Sequence, residues 1–341
     1  MPGFEEGDFF ADRYEIKRLL GRGGMGMVYL AQDWKEQRPV ALKTLLPKYA
    51  QLPQAVARFE REISAARKID HQAVVKIYDS GRIDGTLYYS MEYVDGKSVR
   101  SWMRERKKAG KRVGLGSTVR ILGMVSGALE KAHAFTIHRD LSPENVMVTV
   151  GGDVKLLDFG LAKLTDSNQE LTRVGVTLGK LQYSSPEQRA DAKSVDLRSD
   201  IYSLGVMFYE LLSGDLPRPG EKLSSLVPWL PPEADAFVER AMANNPDERF
   251  QSAREFRKAL MVMYEQTKHL ERDAKLSGPS PLGSIGLEEP VAAPKARRGA
   301  DKIPEAPTLT PRARPRTGVR ARLGRLWRKL GRRRRTKARS Q

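Results

Sequence analysis

Eight consecutive residues, His138-Arg139-Asp140-Leu141-Ser142-Pro143-Glu144-Asn145, followed further on by Asp158-Phe159-Gly160, hold the side chains best suited to chemistry. Asp140 carries a carboxylate that can receive a hydroxyl proton. Asn145 and Asp158 offer hard oxygen ligands of the kind magnesium prefers. Together these are the parts needed to move a phosphoryl group, a reaction governed mostly by positioning and neutralisation of charge. Upstream lies Gly21-Arg22-Gly23-Gly24-Met25-Gly26-Met27-Val28. A hairpin that covers phosphates must let its backbone amides approach closely, and side chains obstruct that. Such a loop alone is common in ordinary turns. The Val40-Ala41-Leu42-Lys43 segment that follows makes the pattern specific.

These residues need elements to hold them. Residues 14–20 and 27–32 alternate apolar and polar side chains, which predicts two strands around the glycine turn, and 39–45 read as a third. Ala41 and Lys43 are two apart and share a face of that strand. Residues 54–69 read as a helix, with Val56, Phe59, Ile63 and Ala66 at helical spacing. Strands are expected over 73–79 and 86–94. From 117 the pattern turns helical, over 117–134, about 198–213, 233–243 and 252–265. Short strands near 146–149 and 154–157 flank the loop that carries Asp140. The expected fold class is α+β, with a strand-rich first lobe and a helical second lobe.

After about 268 the composition shifts to Pro, Gly, Ser, Ala and Arg, and apolar residues lose their period. The expected organisation is an N-terminal extension at 1–13 and a catalytic domain at 14–268, with lobes 14–94 and 95–268. A disordered linker at 269–317 and a basic tail at 318–341 follow.

Length does not decide between one large two-lobed domain and two ordinary ones. No run of about eighteen apolar residues is present, so a soluble protein without a spanning helix is expected. The start, Met-Pro-Gly-Phe-Glu-Glu, does not read as a secretory signal. Cysteine is absent, which suits a reducing cytoplasm and removes disulfides from consideration. The net charge of +18 is unevenly placed: 291–341 holds eighteen Lys and Arg against Asp301 and Glu305. Residues 1–290 therefore carry only +2, with forty-two Lys and Arg against forty Asp and Glu. That distribution argues against a nucleic-acid-binding enzyme.

Within 318–331, Val319, Leu323, Leu326, Trp327 and Leu330 recur at helical spacing between Arg and Lys residues. Four readings stay open for this basic amphipathic segment: attachment to an anionic membrane surface, docking to an acidic partner, nucleic-acid contact, and a solubilising tail.

The order of glycine loop, Val-Ala-Leu-Lys, His-Arg-Asp and Asp-Phe-Gly resembles the eukaryotic-like (Hanks-type) protein kinases, over about Tyr14 to Leu260. Gly-Gly-Met-Gly and the Tyr183-to-Gln188 segment lean towards the bacterial serine/threonine members. The resemblance implies a two-lobed kinase fold with ATP and Mg2+ as cofactors and proteins as substrates. It implies that Gly21, Arg22, Gly23, Gly24 and Gly26 cover the phosphates and that Lys43 meets the α/β-phosphates. Glu62 on the following helix would pair with Lys43; Glu60 is the rival, about 200° away around the helix. Val28 and Ala41 would roof the adenine and Met147 floor it. Met91 would be the gatekeeper, and Glu92 to Val94 the hinge. Asp140 would be the catalytic base, Asn145 and Asp158 the metal ligands. Thr172 and Thr177 are the candidate autophosphorylation sites, with Arg139 placed to receive the phosphate. Asp200 would anchor the catalytic loop, Glu187 and Arg249 would form a buried pair, and His138 and Phe159 would be structural.

Two departures stand out. The family usually carries Lys two residues after the catalytic Asp, where this chain has Ser142. It usually carries Thr after the glycine at 179, where this chain has Lys180. A compensated exchange is expected, with Lys180 supplying the missing cation and Ser142 the hydroxyl. The segment from Asp215 to about Pro232 is also shorter than the family's helix G region. The competing class is a pseudokinase scaffold acting through ATP binding and its basic tail. A homodimer and a peripheral position at the inner face of the membrane are further expectations.

Overall fold

Alternation of apolar and polar residues builds the first lobe as an antiparallel sheet. In the computed structural model, which describes residues 3–23, 26–159, 180–190 and 195–277, its strands are β1 (Phe9–Phe10), β2 (Tyr14–Arg22), β3 (Gly26–Asp33), β4 (Arg38–Leu45), β5 (Ile77–Ile83) and β6 (Thr86–Glu92). Their order is β1-β2-β3-β4-β6-β5. The register sets Val28 opposite Lys43, Ala41 opposite Met91 and Lys43 opposite Tyr89. One face buries Tyr14, Ile16, Tyr29, Val40 and Leu42. Phe4 and Phe10 cover that face, with ring centroids 5.6 Å from Tyr29 and 5.0 Å from Tyr88 respectively.

Two helices sit between β4 and β5: α1 (Pro47–Ala50) and α2 (Pro53–Arg67). Pro53 suits the first turn of α2, where an amide N–H would lack a partner anyway. The face of α2 that carries Ala55, Phe59, Glu62 and Ile63 is buried, and Glu60 is exposed.

The second lobe is built on helices α3 (Val99–Lys108), α4 (Leu115–Ala132), α5 (Pro186–Ala190), α6 (Arg198–Ser213), α7 (Leu223–Leu226), α8 (Pro232–Ala241) and α9 (Ala253–Ser277). A small sheet of β7 (Gly96–Ser98), β8 (Val146–Thr149) and β9 (Val154–Leu156) carries the segments beside Asp140 and Asp158. From Ser199 to Ser213 every residue of α6 is buried, as expected of a helix apolar on most faces at the centre of a lobe. It stops at Gly214, whose φ of +82° favours glycine. Among the described residues no helix is long and apolar enough to cross a membrane.

The strand expected over 73–79 is found over Ile77–Ile83. Ala73 and Val75 instead hydrogen-bond to Leu156 of β9, at 2.7 and 3.2 Å, so their apolar character serves the junction between the lobes. Helix α3 escaped the sequence reading because only Val99 and Met103 of its ten residues are buried. Its start is set by Ser98, whose hydroxyl accepts from the Ser101 amide at 3.1 Å. Helix α9 runs past 265 because Met263 and Thr267 continue its buried stripe against α4. Between Gly214 and Pro232 the only helix is the four-residue α7. Beside it lies a cavity of about 1030 Å³ lined by Leu181, Tyr202, Tyr209, Leu216, Val238 and Met242, among others.

Candidate active site

Lys43 stands on β4 between two carboxylates. Its Nζ donates to Glu62 Oε1 at 2.9 Å and to Asp158 Oδ1 at 2.9 Å. Glu62 reaches it from α2 and Asp158 from the segment after β9, so three elements meet at one ammonium. Burial alone would lower the Lys43 pKa, but Asp158, Tyr89 and Glu62 outweigh it and hold the group well above its ordinary value. The opposite balance governs Glu62. Burial raises its pKa, and the nearby Lys43 offsets only part of that rise.

Tyr89 belongs to this cluster and was not singled out by the sequence reading. Its hydroxyl donates to Glu62 Oε1 at 2.7 Å, and its ring centroid lies 5.4 Å from Lys43 Nζ. Burial pushes its phenol well above the ordinary tyrosine range, so the phenol stays a donor. The only sequence signal was a tyrosine two residues before the gatekeeper position and directly across the sheet from Lys43. A cavity of about 10 Å³, lined by Glu62, Tyr89, Met91, Asp158 and Phe159 among others, adjoins the cluster. Glu62 Oε2 is buried without a hydrogen-bond partner among the described residues.

The apolar side chains expected around adenine are gathered as well. Ala41, Met91 and Val94 belong to one buried cluster, against which Val28 and Met147 pack. Glu92 pairs with Lys155 at 2.6 Å, and its amide N–H donates to the Lys76 carbonyl at 2.8 Å. In the glycine loop the Gly23 amide donates to the Gly26 carbonyl at 2.9 Å. A side chain at Gly26 would lie 2.4 Å from the Thr44 carbonyl oxygen, so packing against β4 demands glycine there. At Gly21 a side chain would meet nothing within 4 Å among the described residues, so their packing makes no such demand. Arg22 ends β2, and Gly24 lies outside the described residues.

Arg139, in the loop that carries Asp140, is left-handed at φ +62°, costly for a long side chain, and Asp158, after β9, is left-handed at φ +51°. Hydrogen bonds hold the loop in place. Asp200 on α6 accepts from the amides of His138 at 2.9 Å and Arg139 at 2.8 Å, and from His133 Nε2 at 2.9 Å. Burial would raise the Asp200 pKa, but His133 and these donors bring it below the usual carboxylate value. Gln188 Nε2 donates to the Arg139 carbonyl at 2.9 Å. His138 is buried, meets Phe159 edge-on at 5.0 Å, and donates from Nε2 to the Leu157 carbonyl at 3.0 Å.

Asn145 directs its amide group at Asp140, donating to the backbone oxygen at 2.6 Å and to Oδ2 at 3.0 Å. That leaves the side-chain oxygen of Asn145 as the atom suited to a hard cation. Asp158 adds carboxylate oxygens, and the Leu157 amide donates to the Asn145 carbonyl at 2.8 Å, tying the two segments together. Among the described residues no cluster of three or more His, Cys, Asp or Glu could hold a metal alone. A magnesium ion, if held by Asn145 and Asp158, would need further oxygens from other groups.

Glu144, between Asp140 and Asn145, joins a second group that the sequence reading missed. Arg100 on α3 donates to Glu144 Oε1 at 2.8 Å and also bonds Glu210 and Tyr183. Below the loop, Arg249 grips Glu187 through Nη1 at 2.7 Å and Nη2 at 2.8 Å. Burial would raise the Glu187 pKa, but Arg249 and Ser199 bring it to about 2. Ser142 is buried, and burial would raise the Glu144 pKa, but Arg100 and the Ser142 hydroxyl bring it below the usual carboxylate value. Lys180 opens a 3-10 turn over Lys180–Tyr183, and its side chain lies outside what the structure describes, as do Thr172 and Thr177.

Comparison with known proteins gives this geometry a context. The family profile for the protein kinase domain matches residues 14–263. A probable serine/threonine-protein kinase of Streptomyces coelicolor is 41% identical over 274 residues, covering 74% of this chain and 40% of that protein. Serine/threonine-protein kinase PknB of Mycobacterium tuberculosis is 38% identical over 276 residues, covering 74% of this chain and 43% of PknB. The chain thus spans less than half the length of these two curated relatives. Among solved structures, the Mycobacterium tuberculosis PknI kinase domain is 32% identical with a TM-score of 0.63, covering 77% of this chain and all of that one.

Proposed function

The chain belongs to the protein kinase family, beside the bacterial serine/threonine kinases, and from that premise we propose that it transfers the γ-phosphoryl group of ATP to serine and threonine hydroxyls of proteins. The observation that carries this reading is Lys43, held 2.9 Å from both Glu62 and Asp158. An ammonium so placed is positioned before its phosphate partner arrives.

In this reading adenine completes the cluster of Val28, Ala41, Met91, Val94 and Met147, and the Glu92–Val94 backbone bonds its edge. The glycine loop covers the phosphates, which accounts for glycine at position 21 where packing does not require it. Lys43 contacts the α/β-phosphates. Asn145 and Asp158 would hold magnesium, which when bound would neutralise phosphate charge. Asp140 orients the substrate hydroxyl and takes its proton. The hydroxyl oxygen bonds to the γ-phosphorus as the bond to the bridging oxygen breaks, and ADP leaves with that electron pair.

The Ser142 and Lys180 departures belong to the same proposal. Ser142 is buried at the position where the family usually carries a lysine, and in this reading Lys180 supplies the missing cation. Lys180→Thr is expected to impair transfer by about 10²-fold, and Ser142→Lys in the same chain to restore it. Equal rates in wild type and Lys180→Thr would contradict the exchange. Phosphate on Thr172 or Thr177, received by Arg139, would order the activation segment. The proposed setting is the cytoplasm, with residues 318–341 contacting an anionic membrane surface or an acidic partner, and a homodimer as an available assembly.

Transfer from labelled Mg-ATP by the purified chain, with Asp140→Asn as control and mass spectrometry to place the label, tests the activity. Label that disappears in the control supports it. Bound ATP without label on the chain or on a generic basic protein would instead favour the scaffold reading that Ser142 keeps open.

A further inference from the structure

Residues 1–290 are nearly neutral, yet charge inside them is sharply segregated. Between Arg100 and Arg112 there are seven Lys and Arg against one acid, Glu105, a net +6 in a region whose whole balance is +2. The rest of that region is therefore net negative, and one corner of the second lobe holds the excess.

That corner is concave. Helix α3, the turn after it and the end of α6 enclose a cavity of about 430 Å³. Arg100, Arg104 and Lys107 follow one face of α3 at spacings of four and three, and the chain turns back at Gly110, φ +67°, to add Lys111 and Arg112. The floor is apolar, made of the buried side chains of Met103, Val113 and Leu211. Two cations are already paired: Arg100 with Glu144 and Glu210, and Lys107 with Asp215 at 2.8 Å. Arg112 donates only to the Leu226 carbonyl, at 2.7 Å. Arg104 and Lys111 have no acidic partner among the described residues.

We infer that this groove docks an acidic, Asp/Glu-rich segment of a protein substrate. Unpaired cations around an apolar floor suit a peptide that brings carboxylates and one or two apolar side chains. The groove also leads to the catalytic loop. At its inner end Arg100 bonds Glu144, and the Arg100 amide donates to the Pro143 carbonyl at 3.0 Å. From there to Lys107 the helix extends about 10 Å, so the groove runs away from the loop that carries Asp140 over a distance a few peptide residues can span. The chain's own C-terminal segment is the wrong occupant: 278–341 carries eighteen Lys and Arg against four acids, the same sign as the groove.

The inference rests on the kinase reading, and its test separates the two. A fluorescent threonine peptide with a flanking Glu/Leu extension is compared with the same peptide carrying Gln for Glu, using the full chain. Binding is read by anisotropy and transfer by label, so a failure of transfer alone counts against the kinase reading and leaves the groove's test intact. The acidic extension is expected to tighten binding and lower KM by about tenfold. Arg104→Glu with Lys111→Glu should abolish that advantage while leaving kcat on the Gln peptide within about twofold. Lys35→Glu with Lys258→Glu, the same charge change elsewhere, should leave the advantage in place. An advantage that is absent, survives the groove variant, or falls equally in both variants overturns the assignment. So does loss of binding to anionic vesicles in the groove variant without any change towards the acidic peptide, which would reassign the groove to a membrane.

Discussion

Two largely buried ion pairs, Lys43 with Glu62 and Arg249 with Glu187, differ in how completely their cations are used. Arg249 places all five of its N–H donors. Two go to Glu187, at 2.7 and 2.8 Å, and the others to the carbonyls of Ala243, Arg198 and Asn244 at 2.8, 3.0 and 3.3 Å. Lys43 places two of its three, on Glu62 and Asp158, and no described residue takes the third. A saturated cation can only hold structure. A cation with a donor left over, shared between carboxylates from two elements, can take a ligand and report whether both elements are in place.

The comparison breaks most visibly at Arg249. Arg249→Leu leaves a partly exposed Glu187 without its cation and is expected to cost up to about 3 kcal/mol of stability, the low end for a buried pair. Thermal unfolding checks this, and the transfer rate per folded molecule in the cold should fall far less than the stability does. An unfolding temperature equal to wild type would mean the pair is not saturated in the way described.

Tyr89 sharpens the other side. Tyr89→Phe keeps the ring and removes only the hydroxyl that donates to Glu62 at 2.7 Å. A hydrogen bond to a charged group is worth about 1.5–3 kcal/mol, so kcat/KM for ATP should fall by about tenfold or more. The KM for a peptide acceptor should stay unchanged. An equal fall in both would mark a general loss of packing.

The smallest effect is in acid. The Glu187 pKa of about 2 lies below its ordinary 4.5. A carboxylate depressed in the folded state contributes stability that is fully present above 4.5 and is lost as pH falls towards 2. Unfolding temperature should therefore drop through that window in wild type and less steeply in Arg249→Leu. Parallel curves would count against the assignment.

Much of this architecture was legible because it is local. Period-two alternation marked β2, β3 and β4, and helical spacing of Val56, Phe59, Ile63 and Ala66 marked α2. The positions of Lys43, Glu62, Asp140, Asn145 and Asp158 came from motif order. What escaped was set by contacts far apart in the chain. Tyr89 looked like one more apolar strand residue, since nothing local says that Glu62 lies within reach of its hydroxyl. His133 meets Asp200 across the second lobe, and Arg100 meets Glu210 across even more of the sequence. Helix α3 was missed because it is held by a serine cap and two buried residues; its surface is mostly charged.

The measurement that bears most directly on the central claim is Lys43→Met, read for phosphoryl transfer and for unfolding temperature in the same preparation. The account predicts transfer reduced by about 10²–10³-fold, with a much smaller loss of stability than in Arg249→Leu. Transfer at the wild-type rate, or unfolding as severe as in Arg249→Leu, would place Lys43 with the structural pairs and contradict it.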